Sequence, residues 1–232
     1  MRRLHLRCEH KPVESRQEPP LVGEVRVEQG EARGVLLTPE PYDPSVLYPL
    51  ITVFHGAGRQ DELLLKACRK QPNERQAFFF IPRSVASTWD LIADGPPVDV
   101  EFLEYAWDLI YRRYPIDPTQ RSLIGYSDGA SYALSMALSN PGYFAAAMVW
   151  AAGFVLLDRN GYDREGKKAR LYLEYGTHDQ LFSFEEIALP MRDNLERAGH
   201  DVTFSVDEGG RHMPSGSFQR EALDWYFEGT RK

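Results

Sequence analysis

A serine that could act as a nucleophile stands in the run Gly125-Tyr126-Ser127-Asp128-Gly129. The apolar stretch Ser122-Leu123-Ile124 precedes it, and a segment rich in Ala and Ser follows. This pattern predicts a strand that turns sharply into a helix with the serine at the bend. Side chains two residues before and after such a bend would collide with the neighbouring strand and helix, and Gly125 and Gly129 remove that collision. Taken alone the pentapeptide could be a turn without chemistry. The strand and helix around it favour a nucleophile held at the tip of an elbow.

A serine hydroxyl is a poor nucleophile at neutral pH, so it needs a base to take its proton and a third group to orient that base. The strand-like run Leu171 to Gly176 ends in Thr177-His178-Asp179-Gln180, which puts Asp179 in a loop beyond a strand's carboxyl end, where catalytic groups gather in open α/β sheets. The next such run, Val202 to Val206, leads to Gly209-Gly210-Arg211-His212-Met213-Pro214, where glycines and a proline bracket a histidine. Asp179 is the acid candidate and His212 the base candidate. The order Ser127, Asp179, His212 leaves room for one or two βα units between members and is the serine, acid, histidine order of α/β-hydrolases.

Acyl transfer also requires a site for an oxyanion, usually two backbone N–H groups, one of them on the residue after the nucleophile. That residue is Asp128. The second donor should follow an earlier strand, and Leu50 to Phe54 runs into His55-Gly56-Ala57-Gly58-Arg59. Ala57 N–H is the first choice and Gly58 N–H the reserve. Rival groups fit less well. His55 belongs to the turn that would carry the oxyanion donor, His178 is too close to Asp179 to share an imidazole contact with it, and His200 follows Gly199 at a predicted helix end. Asp128, Glu174 and Asp207 are the alternative acids. No His-x-His, His-Glu-x-x-His or Cys-x-x-Cys spacing occurs, so neither a metal nor another cofactor is expected.

The elements that must position these groups are legible as alternating runs. Val25 to Glu28 and Gly34 to Thr38, separated by Gln29-Gly30-Glu31, read as a hairpin. Buried strands are expected at Leu50 to His55, Ala77 to Pro82, Ser122 to Gly125, Ala146 to Ala152, Leu171 to Gly176 and Val202 to Val206, because these runs lack polar alternation. Helices are expected at Asp61 to Arg69, Asp99 to Arg113, Ser127 to Ser139, Phe184 to Ala198 and Phe218 to Glu228. Alternation of this kind predicts an α/β fold, a doubly wound, mostly parallel sheet with helices on both faces. Between Ser127 and Asp179 there is room for one helix, one strand and the polar loop Asp158 to Lys168, so no large cap domain is expected and the site should be open. Trp89, Trp150, Phe154, Phe182 and Met213 fall near loop ends and are the candidate walls of the substrate pocket. Ordinary core packing is the alternative for each.

A chain of 232 residues with 43% hydrophobic content can bury one substantial core. Residues 1–20 read as an irregular or flexible lead-in and residues 21–232 as a single domain. A formal net charge of −7 argues against nucleic acid and anionic membranes as partners. Only the opening residues through Arg7 are locally basic, and no apolar run of signal-peptide length follows them. Cys8 and Cys68 are then expected as reduced thiols in a cytoplasmic protein. The expected partner is a small-molecule ester, and a homodimer is left open.

With these residues in place the chain resembles the α/β-hydrolase superfamily, and within it the phospholipase/carboxylesterase-type and polyhydroxyalkanoate-depolymerase-like esterases. The resemblance rests on Pro49 through Gly58, Tyr114 through Arg121, the Gly-Tyr-Ser-Asp-Gly elbow, Tyr175 through Asp179 and Gly209 through His212, which together span most of the chain. Asp128 after the serine favours the depolymerase-like branch, since the carboxylesterases more often carry Gln there. The resemblance implies a serine esterase of the α/β-hydrolase fold. Thioesterase or peptidase activity with the same three residues is the neighbouring alternative, and a binding protein that has kept the fold without the chemistry is the more distant one.

Overall fold

The computed structural model describes residues 4–7, 21–93, 95–157 and 167–230. Its centre is an eight-stranded sheet of β1 (Glu24–Gln29), β2 (Ala32–Leu37), β3 (Tyr48–Phe54), β4 (Phe78–Arg83), β5 (Ile116–Tyr126), β6 (Ala146–Trp150), β7 (Arg170–Gly176) and β8 (Val202–Asp207), in the spatial order β1-β2-β4-β3-β5-β6-β7-β8. β1 and β2 form the hairpin, with Gln29 opposite Ala32 and so two residues in the turn. β2 is antiparallel to β4, and every pairing from β4 through β8 is parallel.

Burial follows position in the sheet. β3 and β6 are buried along their whole length, as apolar runs covered on both faces must be. The edge strand β1 begins with alternating exposed and buried residues, one face wet and one dry. β5 begins at Ile116, earlier than the apolar run that announces it, and its pairing with β3 shifts register between Tyr48 and Leu50. Polar Asp117 and Thr119 hide that first part from a reading based on hydrophobicity.

The helices are α1 (Asp61–Cys68), α2 (Gln71–Arg75), α3 (Asp90–Ala93), α4 (Val98–Arg113), α5 (Asp128–Ser139), α6 (Leu189–Arg197) and α7 (Phe218–Thr230). α2 and α3 have five and four residues, too short to show a helical period. The single helix expected over 184–198 is in two parts, a π-helical turn Phe184–Ala188 followed by α6. Pro190, in the first turn of α6, has no N–H to give to the carbonyl four residues back. The chain is wider just before it, with Ala188 N–H bonding Ser183 O and Leu189 N–H bonding Phe184 O.

α5 is buried from Gly129 to Ser139. Its small residues let it approach β5 and β6 closely, and its serines are satisfied by the loop after β6: Ser131 Oγ accepts from Gly153 N–H and Ser135 Oγ from Leu156 N–H, both at 2.9 Å. Leu4 and Leu6 of the lead-in are buried, and Asn140 at the end of α5 holds them by accepting from Leu6 N–H at 2.8 Å and donating to Leu4 O at 2.9 Å. The rest of the lead-in, including Cys8, and residues 158–166 of the polar loop lie outside the described residues. Cys68 is a free, buried thiol whose pKa burial pushes up to about 12, so it is inert as a nucleophile. No helix among the described residues is long and apolar enough to cross a membrane.

Candidate active site

Ser127 sits between the end of β5 and the start of α5 with φ 54° and ψ −117°, a backbone conformation that L residues rarely adopt. Its neighbours hold it there. Ser127 N–H bonds Trp150 O at 2.9 Å and Ser131 N–H bonds Ser127 O at 3.0 Å. A Cβ on Gly125 would lie 2.2 Å from Gly129 O, and one on Gly129 would lie 2.4 Å from His55 O and 2.5 Å from Phe54 O. These are backbone atoms that cannot swing aside, so the elbow requires glycine at both positions.

Ser127 Oγ lies 2.8 Å from His212 Nε2, and His212 Nδ1 lies 2.7 Å from Asp179 Oδ2. The other carboxylate oxygen, Oδ1, accepts from Leu181 N–H at 2.8 Å and Phe182 N–H at 3.0 Å. The Asp179 side chain is wholly buried and each of its oxygens has a partner. Two loops bring these groups together, and they are stitched to one another: Thr177 N–H to Asp207 O at 3.1 Å, His178 N–H to Gly210 O at 2.8 Å, and Gly209 N–H to Thr177 Oγ1 at 2.8 Å. A Cβ on Gly176 would stand 2.4 Å from Gly210 O, so glycine is what lets the acid loop and the histidine loop touch. The array can pass a proton from the serine to the imidazole while the carboxylate holds the ring.

Of the oxyanion candidates, Gly58 is removed: its N–H already donates to Ser87 O at 2.8 Å. Ala57 N–H has no acceptor among the described residues, and Asp128, as the first residue of α5, has no intrahelical partner for its N–H. Two free donors therefore remain, on the loop after β3 and at the elbow. His55 braces the first. With its side chain buried, Nδ1–H donates to Gly56 O at 2.6 Å and Nε2 accepts from Ser84 N–H at 3.0 Å, which fixes a neutral tautomer. Burial holds its pKa below the ordinary histidine value.

This tautomer has a measurable consequence. The folded protein resists protonating His55, so its contribution is complete at pH values above about 6.5 and is lost as the pH falls below that value. His55→Gln is expected to be less stable than the parent by about 1–3 kcal/mol at pH 7.5, because a buried donor and acceptor lose their partners. In urea unfolding the gap should narrow steadily toward pH 5; a gap independent of pH would show that His55 is not held neutral.

The rival groups are occupied elsewhere. His178 is exposed, and the bond it makes is from its backbone N–H to Gly210 O, while Asp179 Oδ2 is taken by His212 Nδ1. His200 is half-buried, and burial together with Lys168 lowers its pKa. Glu174 is buried on β7, where burial raises its pKa; it accepts from Tyr172 OH at 3.0 Å and Ser215 Oγ at 3.1 Å. Ser215 lies three residues beyond His212, so Glu174 supports the histidine loop through it, while the His212 ring is paired with Asp179. Among the described residues no group of three or more His, Cys, Asp or Glu side chains could hold a metal ion.

The expected pocket walls divide. Phe182 stands edge-on against the His212 ring at 5.0 Å between centroids. Gly153 makes room for it, since a Cβ there would fall 2.5 Å from the Phe182 ring. Phe154 is half-buried beside Gly153, and Met213 is 73% exposed next to His212. Trp89 and Trp150 are core residues and not walls, each only 1% exposed. Trp89 stacks on Tyr132 and meets Phe54 edge-on, and its Nε1–H donates to His55 O at 2.9 Å; Trp150 packs against Phe218. Proximity in sequence to loop ends brought both tryptophans near the site but beneath it. An apolar cavity of about 430 Å³, lined by Leu138, Val155, Ile187, Met191 and Leu195 among others, contains none of Ser127, Asp179 and His212.

Comparison with known proteins agrees with this architecture. Residues 28–189, more than half of the chain, match the Esterase family, a span that takes in Ser127 and Asp179 and ends ahead of His212. The chain belongs to the Esterase family. It is accordingly a hydrolytic enzyme that acts on esters. No curated protein sequence matches it, but solved structures do. A thermostable esterase is similar with a TM-score of 0.67 at 19% identity, covering 88% of this chain; the chain spans 62% of that protein's length. S-formylglutathione hydrolase from Staphylococcus aureus is similar with a TM-score of 0.66 at 14% identity, covering 90% of this chain and 99% of its own. Esterase 2 of Thermogutta terrifontis, in a structure phosphorylated by paraoxon, is similar with a TM-score of 0.67 at 16% identity, covering 93% and 96%. At these identities the likeness is one of fold, and this esterase has the α/β-hydrolase fold.

Proposed function

We propose that this esterase cleaves carboxylic esters through an acyl-enzyme on Ser127. His212 Nε2 takes the serine proton as Oγ attacks the ester carbonyl, Asp179 holds the imidazole with Nδ1–H toward itself, and the N–H groups of Ala57 and Asp128 receive the oxyanion. His212 then protonates the leaving alcohol, and water, activated by the same imidazole, releases the acid. The observation that carries this reading is the unbroken contact from Ser127 Oγ through His212 to the buried Asp179 carboxylate, at 2.8 and 2.7 Å. Phe182, beside the imidazole, is proposed as one wall of the substrate pocket. A small-molecule ester is the proposed substrate, and a cytoplasmic location is proposed from the charge balance and the free Cys68.

The test is covalent labelling. A fluorophosphonate probe is expected to add once per chain, on the peptide carrying Ser127, and to abolish turnover of a short-chain aryl ester in step with labelling. Activity that survives complete labelling, or label found on another residue, would overturn the assignment.

A further inference from the structure

The segment Ser84–Trp89, between β4 and α3, has no part in the proposed proton relay, yet it touches both halves of the proposed oxyanion site. Toward the loop after β3, Ser87 O accepts from Gly58 N–H at 2.8 Å, and Ala86 O accepts from Arg59 Nε at 2.7 Å. The Arg59 guanidinium also bonds Val85 O. Ser84 N–H donates to His55 Nε2 at 3.0 Å, and Trp89 Nε1–H donates to His55 O at 2.9 Å. Toward the elbow there is one bond: Thr88 Oγ1 donates to Asp128 Oδ2 at 2.6 Å.

The segment itself is fixed from behind. Val85 N–H donates to Asp99 Oδ1 at 2.9 Å, and Asp90 and Asp99 cap one another, with Asp90 N–H on Asp99 Oδ2 at 2.8 Å and Asp99 N–H on Asp90 Oδ2 at 2.9 Å. Burial pushes Asp99 up to about 6. The short buried helix α3 and the start of α4 therefore hold the strap, and the strap holds the loop carrying Ala57 and the residue carrying the elbow N–H.

We infer that Ser84–Trp89 is a brace that sets the separation of the Ala57 and Asp128 amides, and that Thr88 is the positioning residue through which it grips the elbow. This rests on the reading of Ser127 as nucleophile and of those two amides as oxyanion donors. Two donors serve an oxyanion only when both meet the same atom, and their spacing across two separate loops is not fixed by either loop alone. Five of the six hydrogen bonds tie the brace to the first loop, so losing the Thr88 bond removes the brace's one hydrogen bond to the elbow, while Trp89 stays stacked on Tyr132 of α5 and keeps the fold in place. The bond also fixes the side chain of the same residue whose N–H is the proposed elbow donor. The transition state, and not the bound ester, depends on this alignment, so the effect falls on kcat with KM little changed.

The experiment compares Thr88→Val, which keeps the shape and loses the hydroxyl, with Thr88→Ser, which keeps the hydroxyl, and with Ser127→Ala as reference. Thr88→Val is expected to lower kcat for an aryl ester by about tenfold to a hundredfold with KM within about threefold, on the scale of a small misplacement of catalytic groups. Its thermal midpoint should match the parent's, and Thr88→Ser should recover most of the lost kcat. Asp128→Ala combined with Thr88→Val should be no worse than Asp128→Ala alone, as expected for one shared contact. Parental kcat in Thr88→Val, or a loss that Thr88→Ser does not recover, overturns the brace while an inactive Ser127→Ala leaves the nucleophile standing. An active Ser127→Ala overturns both.

Discussion

Ser127→Ala is expected to lower kcat for any ester substrate by about 10⁶-fold while leaving the fold intact, the scale on which loss of a serine nucleophile acts in serine hydrolases. Among the described residues no other hydroxyl or thiol is hydrogen-bonded to His212 Nε2. His212 Nε2 would face an empty position where Oγ lies 2.8 Å away in the parent, and Cys68, the free thiol among the described residues, is buried with its pKa raised to about 12. Stability should change by less than about 1 kcal/mol, because alanine takes the φ 54° backbone no more easily than serine and the lost hydrogen bond is half-exposed. Substrate binding should persist, since the remaining walls and the two amides are untouched. A residual rate within a hundredfold of the parent, in protein freed of contaminating esterases, would remove Ser127 from the mechanism.

The same residue shows what a sequence can and cannot convey. The proposed triad of Ser127, Asp179 and His212 is legible because each lies past an apolar strand run with a glycine within three residues, and the need for glycine is local: Gly125 and Gly129 face the backbone of their own elbow and of the loop after β3. The parallel sheet was legible for a similar reason, because strands covered on both faces are apolar throughout. Contacts that join distant segments through polar side chains leave no such trace. Thr88 meets Asp128 across 40 positions and Ser215 meets Glu174 across 41, and neither pair has a spacing or a composition that marks it. Trp89 and Trp150 misled for the complementary reason. A large aromatic near a loop end suits a pocket wall and a core equally, and only packing distinguishes them; here Phe54 and Tyr132 cover Trp89, and Phe218 covers Trp150.

Asp179→Asn tests whether the buried carboxylate acts by orienting His212. In the parent, Oδ1 accepts two backbone N–H groups, from Leu181 and Phe182, and Oδ2 faces His212 Nδ1. Asparagine can satisfy Leu181 and Phe182 only by placing its carbonyl oxygen toward them, because the amide nitrogen has no lone pair to offer two donors. Its NH₂ must then point at His212 Nδ1. The imidazole answers by turning Nδ1 into the acceptor and carrying its proton on Nε2, the atom that must be bare to take the proton of Ser127. The substitution therefore changes one proton's address while keeping every heavy atom in place. A loss of about 10⁴-fold in kcat at neutral pH is expected, with unchanged KM and no loss of thermal stability, since a neutral amide is no harder to bury than a carboxylate. If instead Asp179 serves only to hold the loop through Leu181 and Phe182, the asparagine does that equally well and activity should stay within about tenfold of the parent. Measuring kcat for Asp179→Asn beside its midpoint of thermal unfolding separates the two roles, because only the orienting role predicts a folded, substrate-binding and nearly inactive enzyme.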